Sequence, residues 1–382
     1  MIMEISNGVN ILNHSILNTT LVFVIFSGLA AFIGAPLLIR LLERFKIKRT
    51  FEVGSSKGIG HRAEKTGTPI MGGLIIVITI LVVTVIFNWD SRFTYVPIGV
   101  MCFAAILGAW DDILNVFGKK RRIRSWQRTL KLIKVHKSIL YRSYLVLTLP
   151  WTIFRNTFHI FSPQPSRGVL PHEKILLQIT AGAITAWWIV FKLGEEWLYV
   201  WIPFNGEIFL GYWMLPIIIF IVVFFANAVN ISDGLDGLSG GALISAFGGL
   251  AVLSYLQGSL PFSILNATVI GALIAYVYFN IKPARFQMGD VGSLAMGSLF
   301  AVMMLAQNRL MLIPFFGFIF LLEIFSVILQ TFWRYGLGRR LFKMAPLHHH
   351  LEFYGWSEEK IVTRFWLINL FMVIIGLWLA MH

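Results

Sequence analysis

Residues 214–237 read Met214-Leu-Pro-Ile-Ile-Ile-Phe-Ile-Val-Val-Phe-Phe-Ala-Asn227-Ala-Val-Asn230-Ile-Ser-Asp233-Gly-Leu-Asp236-Gly237. Up to Val229 the stretch has no charge and one polar side chain, Asn227. The window 209–229 is long and apolar enough to cross a bilayer as a helix, which takes ~20 residues. It then runs into Asn230, two acids three apart and two glycines. The glycines free the turn to present the carboxylates of Asp233 and Asp236 to one site. An Asp-x-Asp-x-Asp-Gly calcium loop has another spacing and closes on Glu, so that reading is excluded. The repeating unit to look for is an apolar helix ending on a loop equipped for chemistry.

Further windows of this kind lie near 20–40, 69–88, 94–110, 175–192, 238–257, 262–280, 291–307, 310–333 and 362–381, which makes ten expected spans. A weaker window at 138–161 is interrupted by Arg142, Pro150, Arg155 and His159 and reads as a segment lying on the membrane surface. Composition agrees: 57% of residues are hydrophobic, 13% are charged and mean hydropathy is +0.76. A soluble domain carries about a quarter charged residues, and one soluble core cannot hide 33 Phe and 13 Trp.

The net charge of +14 follows the rule that Lys and Arg stay in the cytosol, and it does not imply nucleic acid. All but Arg92, Lys192 and Arg309 of the 32 Lys and Arg fall in the loops after spans one, three, five, seven and nine or at their borders. The opposite face has Glu4, Asp90, Glu195, Glu196 and Glu207. The expected fold is an all-α integral membrane protein of about ten transmembrane helices, both termini outside, with its active site on the cytosolic face. It forms one polytopic domain, 1–382, with a basic cytosolic insertion at 119–170. Cys102 is the only cysteine, so no disulfide forms within the chain, and no cleavable signal is expected.

Unusual polar residues gather on the cytosolic side. Lys65 and the turn Gly67-Thr68-Pro69 precede the second span, where free backbone N–H groups at a helix start suit an anion. Asp111 and Asp112 end the third window, where carboxylates oppose the helix dipole and call for a cation. Asn280 precedes Gln287-Met288-Gly289-Asp290, in which Gly289 permits close approach and Asp290 heads a helix, to cap it or to hold a metal. His348, His349 and His350 stand together before Glu352; three adjacent imidazoles on a helix do not converge on one metal and suit phosphate oxygens or a carboxylate. Acids, cations, histidines and glycine turns on one membrane face make a set for Mg2+-assisted phosphoryl transfer.

The segments Lys65–Gly73, Asp111-Asp112, Asn230–Leu238, Pro283–Ser293 and Pro346–Glu352 resemble, in order along the chain, those of the phospho-N-acetylmuramoyl-pentapeptide transferases, translocase I of bacterial peptidoglycan synthesis. The three histidines followed by Gly355-Trp356-Ser357-Glu358 favour this family over its relatives in the polyprenyl-phosphate N-acetylhexosamine-1-phosphate transferase superfamily.

The resemblance implies an enzyme of the bacterial cytoplasmic (inner) membrane. It moves phospho-MurNAc-pentapeptide from UDP-MurNAc-pentapeptide to undecaprenyl phosphate with Mg2+. Carried over residue by residue, Asp290 matches the metal-binding acid and Asp111 and Asp112 the essential pair, one of them the base for the lipid phosphate. Asn230, Asp233 and Asp236 match the nucleoside pocket, with Lys65, Thr68 and Asn280 as its remaining polar wall. Lys174 matches a family lysine that opens the fourth span, and His348 and His349 match essential histidines. Gln287, Gly289 and His350 complete the expected substrate contacts. Membrane lipid is a further partner, a homodimer is left open, and nucleic acid is not expected.

Three departures stand out. The family lysine four residues after the first acid is Asn115 here, with Lys119 and Lys120 nearby. The Phe expected before Met-Gly-Asp to stack on uracil is Gln287, with Phe286 one place earlier. The family has a short loop where this chain has 119–170, with ten basic residues from Lys119 to Arg142. Within it Trp126, Leu130, Ile133 and Lys134 fit a helix apolar on one side, suited to anionic lipid.

The alternatives are a sister transferase using UDP-N-acetylglucosamine, an ion-coupled transporter and an inactive scaffold. A transporter places acids inside spans, and only Glu323 lies near the middle of one. No inverted repeat is visible.

Overall fold

In lipid a backbone satisfies its polar groups only within helices or a closed barrel, and the uncharged runs of this chain form helices. The computed structural model describes residues 2–48, 67–89, 94–118, 125–158 and 168–382. In chain order the helices are α1 (Ile2–Arg44), α2 (Leu74–Phe87), α3 (Tyr95–Phe117), α4 (Trp126–Val135), α5 (Ile139–Leu147), α6 (Leu149–Phe158), α7 (Pro171–Trp188), α8 (Met214–Ser232), α9 (Leu238–Leu256), α10 (Leu260–Asn280), α11 (Gly289–Ala306), α12 (Ile313–Phe316), α13 (Phe318–Leu337), α14 (Leu347–Phe353) and α15 (Glu358–Ala380). Among the described residues nine helices are long and apolar enough to cross a membrane, and α2 is a shorter apolar helix. Each of the ten expected windows therefore coincides with an apolar helix.

Several details differ from the sequence reading. The second window yields only the 14 residues of α2, because the amides of Gly72 and Gly73 are held by the backbone of 287–288 before the helix begins. The third helix does not stop at 110 but continues to Phe117, so Asp111 and Asp112 lie within it and the helix-end argument for them falls. The ninth window is broken at Gly317 into α12 and α13. The described part of window 138–161, as far as Phe158, forms two short helices, α5 and α6, meeting at Thr148. The fold is also not wholly helical. Strands β1 (Tyr199–Ile202) and β2 (Gly206–Phe209) form an antiparallel hairpin pairing Tyr199 with Phe209 and Ile202 with Gly206.

The core centres on α11, which packs against α3, α8 and α9. In its most apolar window 89% of residues are buried, against 28% for α1, so α11 is the central post and α1 a peripheral helix. Small residues let neighbouring backbones approach it closely. A Cβ built on Gly108 of α3 would lie 2.2 Å from the carbonyl oxygen of Asp290 and 2.5 Å from the amide of Val291. Gly108→Ala is therefore expected to overpack this crossing at a cost of ~1–3 kcal/mol, read as a lower melting temperature of the detergent-purified protein. An unchanged melting temperature would show that α3 can draw back without cost.

Candidate active site

The first polar cluster gathers where α3, α7, α8 and α11 meet. Pro171 opens α7, and the Glu173 carboxylate accepts the Leu170 N–H at 3.2 Å, fixing the first turn. Lys174 sits in that turn, where a cation opposes the helix dipole, and two carboxylates compensate it. Its Nζ donates to Asp111 Oδ2 at 3.2 Å and to Asp290 Oδ2. Asn230, near the end of α8, donates through Nδ2 to Asp290 Oδ1 at 2.6 Å and to Ser293 Oγ at 2.8 Å. Asp111 Oδ1 accepts the Val169 N–H at 2.7 Å, from the segment just ahead of α7. Asp111, Lys174, Asn230 and Asp290 thus form one bonded cluster.

The neighbouring carboxylates do different work. Asp112 Oδ1 accepts the Asp290 N–H at 3.2 Å and its Oδ2 the Val291 N–H at 3.1 Å. It caps the start of α11 from α3, satisfying amides that the helix itself cannot. Asp290 makes no cap: its carboxylate turns to Lys174 and Asn230. Gly289 has φ +71, and a Cβ there would lie 2.7 Å from Asp112 Oδ2. Only glycine gives this backbone both the left-handed conformation and the room for Asp112.

Of the amides ahead of α2, those of Gly72 and Gly73 are not free for an anion. Gly72 N–H donates to the Gln287 carbonyl at 2.7 Å and Gly73 N–H to that of Met288 at 2.9 Å, while Gln287 N–H donates to the Pro69 carbonyl at 2.9 Å. Thr68 and half-buried Gln287 consequently belong to two segments zipped together by their backbones. Phe286 is no substitute for a stacking ring, since it is fully buried against Tyr276 and Phe279. Lys65, Lys119 and Lys120 lie outside the described residues. Asn115 is exposed and close to Gly168, where a Cβ would meet its Oδ1 at 2.5 Å.

A second layer is formed by the loop after α8. Ser239 Oγ donates to Asp233 Oδ1 at 2.6 Å, and Ala284 N–H to Asp236 Oδ2 at 3.3 Å, so the two acids take separate partners. Asn280 uses its whole amide: Oδ1 accepts the Gly237 N–H and Nδ2 donates to the Phe286 carbonyl, both at 2.9 Å. It therefore ties two loops together. Glu358 does the same from α15, its Oε1 accepting the Asp236 N–H at 2.7 Å. Lys282 pairs with Glu359 at 3.0 Å and Glu358 at 3.5 Å. Desolvation pulls the Lys282 ammonium down, but the hydrogen bond to Glu359 and the two carboxylate charges outweigh it and leave its pKa raised.

The three histidines diverge along α14. His348 is fully buried; its N–H donates to Glu323 Oε1 at 3.1 Å and its Nδ1 meets Glu323 Oε2 at 2.9 Å. Its Nε2 has no partner among the described residues and faces Gly234, where a Cβ would lie 2.3 Å away. His349 Nδ1 meets Glu352 Oε2 at 2.5 Å, and His350 stands edge-on to Phe342 and Tyr354.

Sequence reasoning gave no role to Glu323, Glu358, Ser293 or the Val169 amide. An acid inside an apolar run was the available signal for Glu323; a backbone amide offers none.

A metal ion can be tested against these donors. Asp111 and Asp290 close on one ammonium, so oxygen donors already converge on a single positive charge. Such hard oxygens suit Mg2+, which keeps waters and takes phosphate oxygens for its remaining positions. Among the described residues no three His, Cys, Asp or Glu side chains surround one point, so the protein by itself builds no cage. The donor chemistry fits an ion shared with a phosphate substrate.

The sequence model for Glycosyl transferase family 4 matches residues 167–308, which hold Lys174, Asn230 and Asp290. The phospho-N-acetylmuramoyl-pentapeptide-transferase of Chloroflexus aurantiacus is 36% identical over 326 residues, 83% of this chain and 78% of that protein. That of Staphylococcus saprophyticus is 33% identical over 367 residues, covering 93% and 98% of the two chains. That of Staphylococcus aureus is 31% identical over 370 residues, covering 94% and 99%. With such identity sustained over most of the length of both partners, this chain belongs to the phospho-N-acetylmuramoyl-pentapeptide-transferase family.

Proposed function

We propose that the protein transfers phospho-MurNAc-pentapeptide from UDP-MurNAc-pentapeptide to undecaprenyl phosphate, giving lipid I and UMP. It works in the bacterial cytoplasmic (inner) membrane, with both termini outside and the site toward the cytosol, as the one-sided distribution of Lys and Arg supports. The observation that carries the reaction is the lodging of Lys174 between Asp111 and Asp290 in a chain of this family. All four residues of that cluster come from one chain, so a homodimer is not needed to complete it.

The chemistry is direct displacement. A phosphate oxygen of the lipid acceptor bonds to the β-phosphorus of the nucleotide sugar. The bond from that phosphorus to the bridging oxygen breaks, and UMP leaves with the electron pair. One diphosphate link replaces another, so no further energy source enters. Asp290 would hold Mg2+, which when bound would neutralise charge on the diphosphate oxygens. Lys174 stabilises the charge that gathers on those oxygens during transfer. Asp111 is the member of the acid pair that serves as base, because its carboxylate faces Lys174 and Asp290, whereas Asp112 is turned to the amides of α11. Asp112 is a positioning residue.

By the family resemblance Asn230, Asp233, Asp236, Lys65, Thr68 and Asn280 form the nucleoside wall, and His348 and His349 serve the phosphates or sugar. The acceptor's tail lies along α13, which exposes Phe325, Ile328, Leu329 and Phe332.

The test is UMP release by the purified chain with undecaprenyl phosphate and Mg2+, comparing UDP-MurNAc-pentapeptide with UDP-N-acetylglucosamine, beside an Asp290→Asn control. Turnover with the muramyl substrate alone, lost in the control, is expected. Turnover with the other sugar would move the chain to the sister reaction, and none with either, from folded protein, would favour the inactive scaffold, with Asn115 and Gln287 the first residues to revert. A labelled phosphoenzyme trapped without acceptor would replace direct displacement by a two-step route.

A further inference from the structure

The insertion between α3 and α7 plays no part in the chemistry above. Its described portion folds as three helices, α4, α5 and α6, that pack on one another around buried Thr129 and Leu145. Phe154 of α6 lies edge-on to His172 of α7 at 5.6 Å, which fixes the group to the base of a spanning helix. The helices have 10, 9 and 10 residues, too short to cross a bilayer core that needs ~20. They nonetheless expose Val135 (80%), Ile139 (77%), Leu140 (86%) and Leu147 (81%). Aliphatic side chains so fully exposed are costly in water.

The charges around these residues decide what covers them. Arg128, Lys131, Lys134, Lys137 and Arg142 are all exposed, and no Asp or Glu occurs from Ile113 to His172. A protein surface complementary to this one would have to be strongly acidic as well as apolar. The face of a bilayer containing anionic lipid offers both: phosphate headgroups for the cations and acyl chains for the aliphatic residues. The bilayer is also the surface into which the neighbouring α3 and α7 run.

We propose that α4, α5 and α6 form a foot seated on the anionic face of the membrane, with Val135, Ile139, Leu140 and Leu147 in the acyl boundary and the five cations among the headgroups. The foot stands beside the site, since the segment leading from it to α7 supplies the Val169 N–H that Asp111 accepts.

The test uses the full chain. A Cys102→Ser, Leu140→Cys variant carries a single environment-sensitive fluorophore and is reconstituted in phosphatidylcholine vesicles with and without phosphatidylglycerol. Quenching by brominated acyl chains reports insertion, and quenching by iodide reports water. Each surface cation multiplies partition onto an anionic face roughly fivefold. With phosphatidylglycerol the label is expected to be quenched by brominated lipid and shielded from iodide by at least about threefold. The shielding should vanish when Lys131, Lys134, Lys137 and Arg142 are all changed to Gln in the same background. Iodide quenching equal in both vesicle types would overturn the proposal. Shielding from both quenchers would do so too, by showing that protein covers the face. Insertion that is the same in phosphatidylcholine alone and in the neutralised variant would overturn the role of charge.

Discussion

Lys174→Met is expected to lower turnover by ~10³-fold or more, within the range seen when a cation serving a transferring phosphoryl group is removed. The ammonium is held by Asp111 Oδ2 at 3.2 Å and by Asp290 Oδ2, with the Lys174 and Asp111 side chains only 14% and 7% exposed. Removing it leaves two carboxylates facing each other without a counter-charge. Breaking a buried pair in this way costs ~3–5 kcal/mol, so the melting temperature falls as well. Lys174→Arg separates the two effects. It keeps the charge and most of the stability but brings a planar fork where a compact ammonium fits, so kcat stays low while the protein stays folded. The measurement is single-turnover UMP release beside thermal unfolding. Turnover of Lys174→Met within tenfold of the parent would remove Lys174 from the chemistry.

Glu323→Gln is expected to lower kcat by ~10²-fold or more with little change in KM. Glu323 meets His348 twice, at the N–H and at ring Nδ1, and both residues are fully buried. A carboxylate accepts from both donors, which puts the ring proton on Nδ1 and leaves a lone pair on Nε2 beside Gly234. The amide of Gln has one oxygen and one donor nitrogen. One of the two contacts then faces an N–H, and the ring is driven to the other tautomer, a change that is severe wherever a carboxylate orients a working imidazole. Glu323 acts through His348, so the second measurement is a double-mutant cycle. Glu323→Gln combined with His348→Gln should cost no more than His348→Gln alone. Additive losses would show that Glu323 has only a packing role.

Both predictions depend on contacts between residues far apart in sequence. Lys174 and Asp290 are 116 positions apart, Asn230 and Asp290 are 60 apart, and Asp112 and Val291 are 179 apart. The motifs containing these residues were legible because each is short and polar beside an apolar run. Their division of labour was not. Asp111 and Asp112 are adjacent and chemically identical, and only the crossing of α3 over the head of α11 makes one a helix cap and leaves the other to face Lys174. The same holds for His348, His349 and His350, three like residues with three different surroundings.

The departure at Gln287 and the turn ahead of α2 divide in the same way. That Gln287 replaces a ring is plain from the sequence, but that Phe286 cannot serve instead follows from its burial against Tyr276 and Phe279. The turn ahead of α2 suggested open amides at the helix start, yet those of Gly72 and Gly73 are spent on the backbone of 287–288.

By itself the sequence determined the number of apolar helices, their approximate ends, the one-sided distribution of basic residues and the residue types available for chemistry. These follow from the cost of placing each side chain in lipid or water, a cost that is local and sums along the chain. The tertiary structure decided where α3 really ends, the break at Gly317, which carboxylate caps and which faces the cation, and the partner of His348. Those outcomes depend on which backbones can come close enough to share a hydrogen bond, and that is set by small residues such as Gly108 and Gly289 meeting across helices.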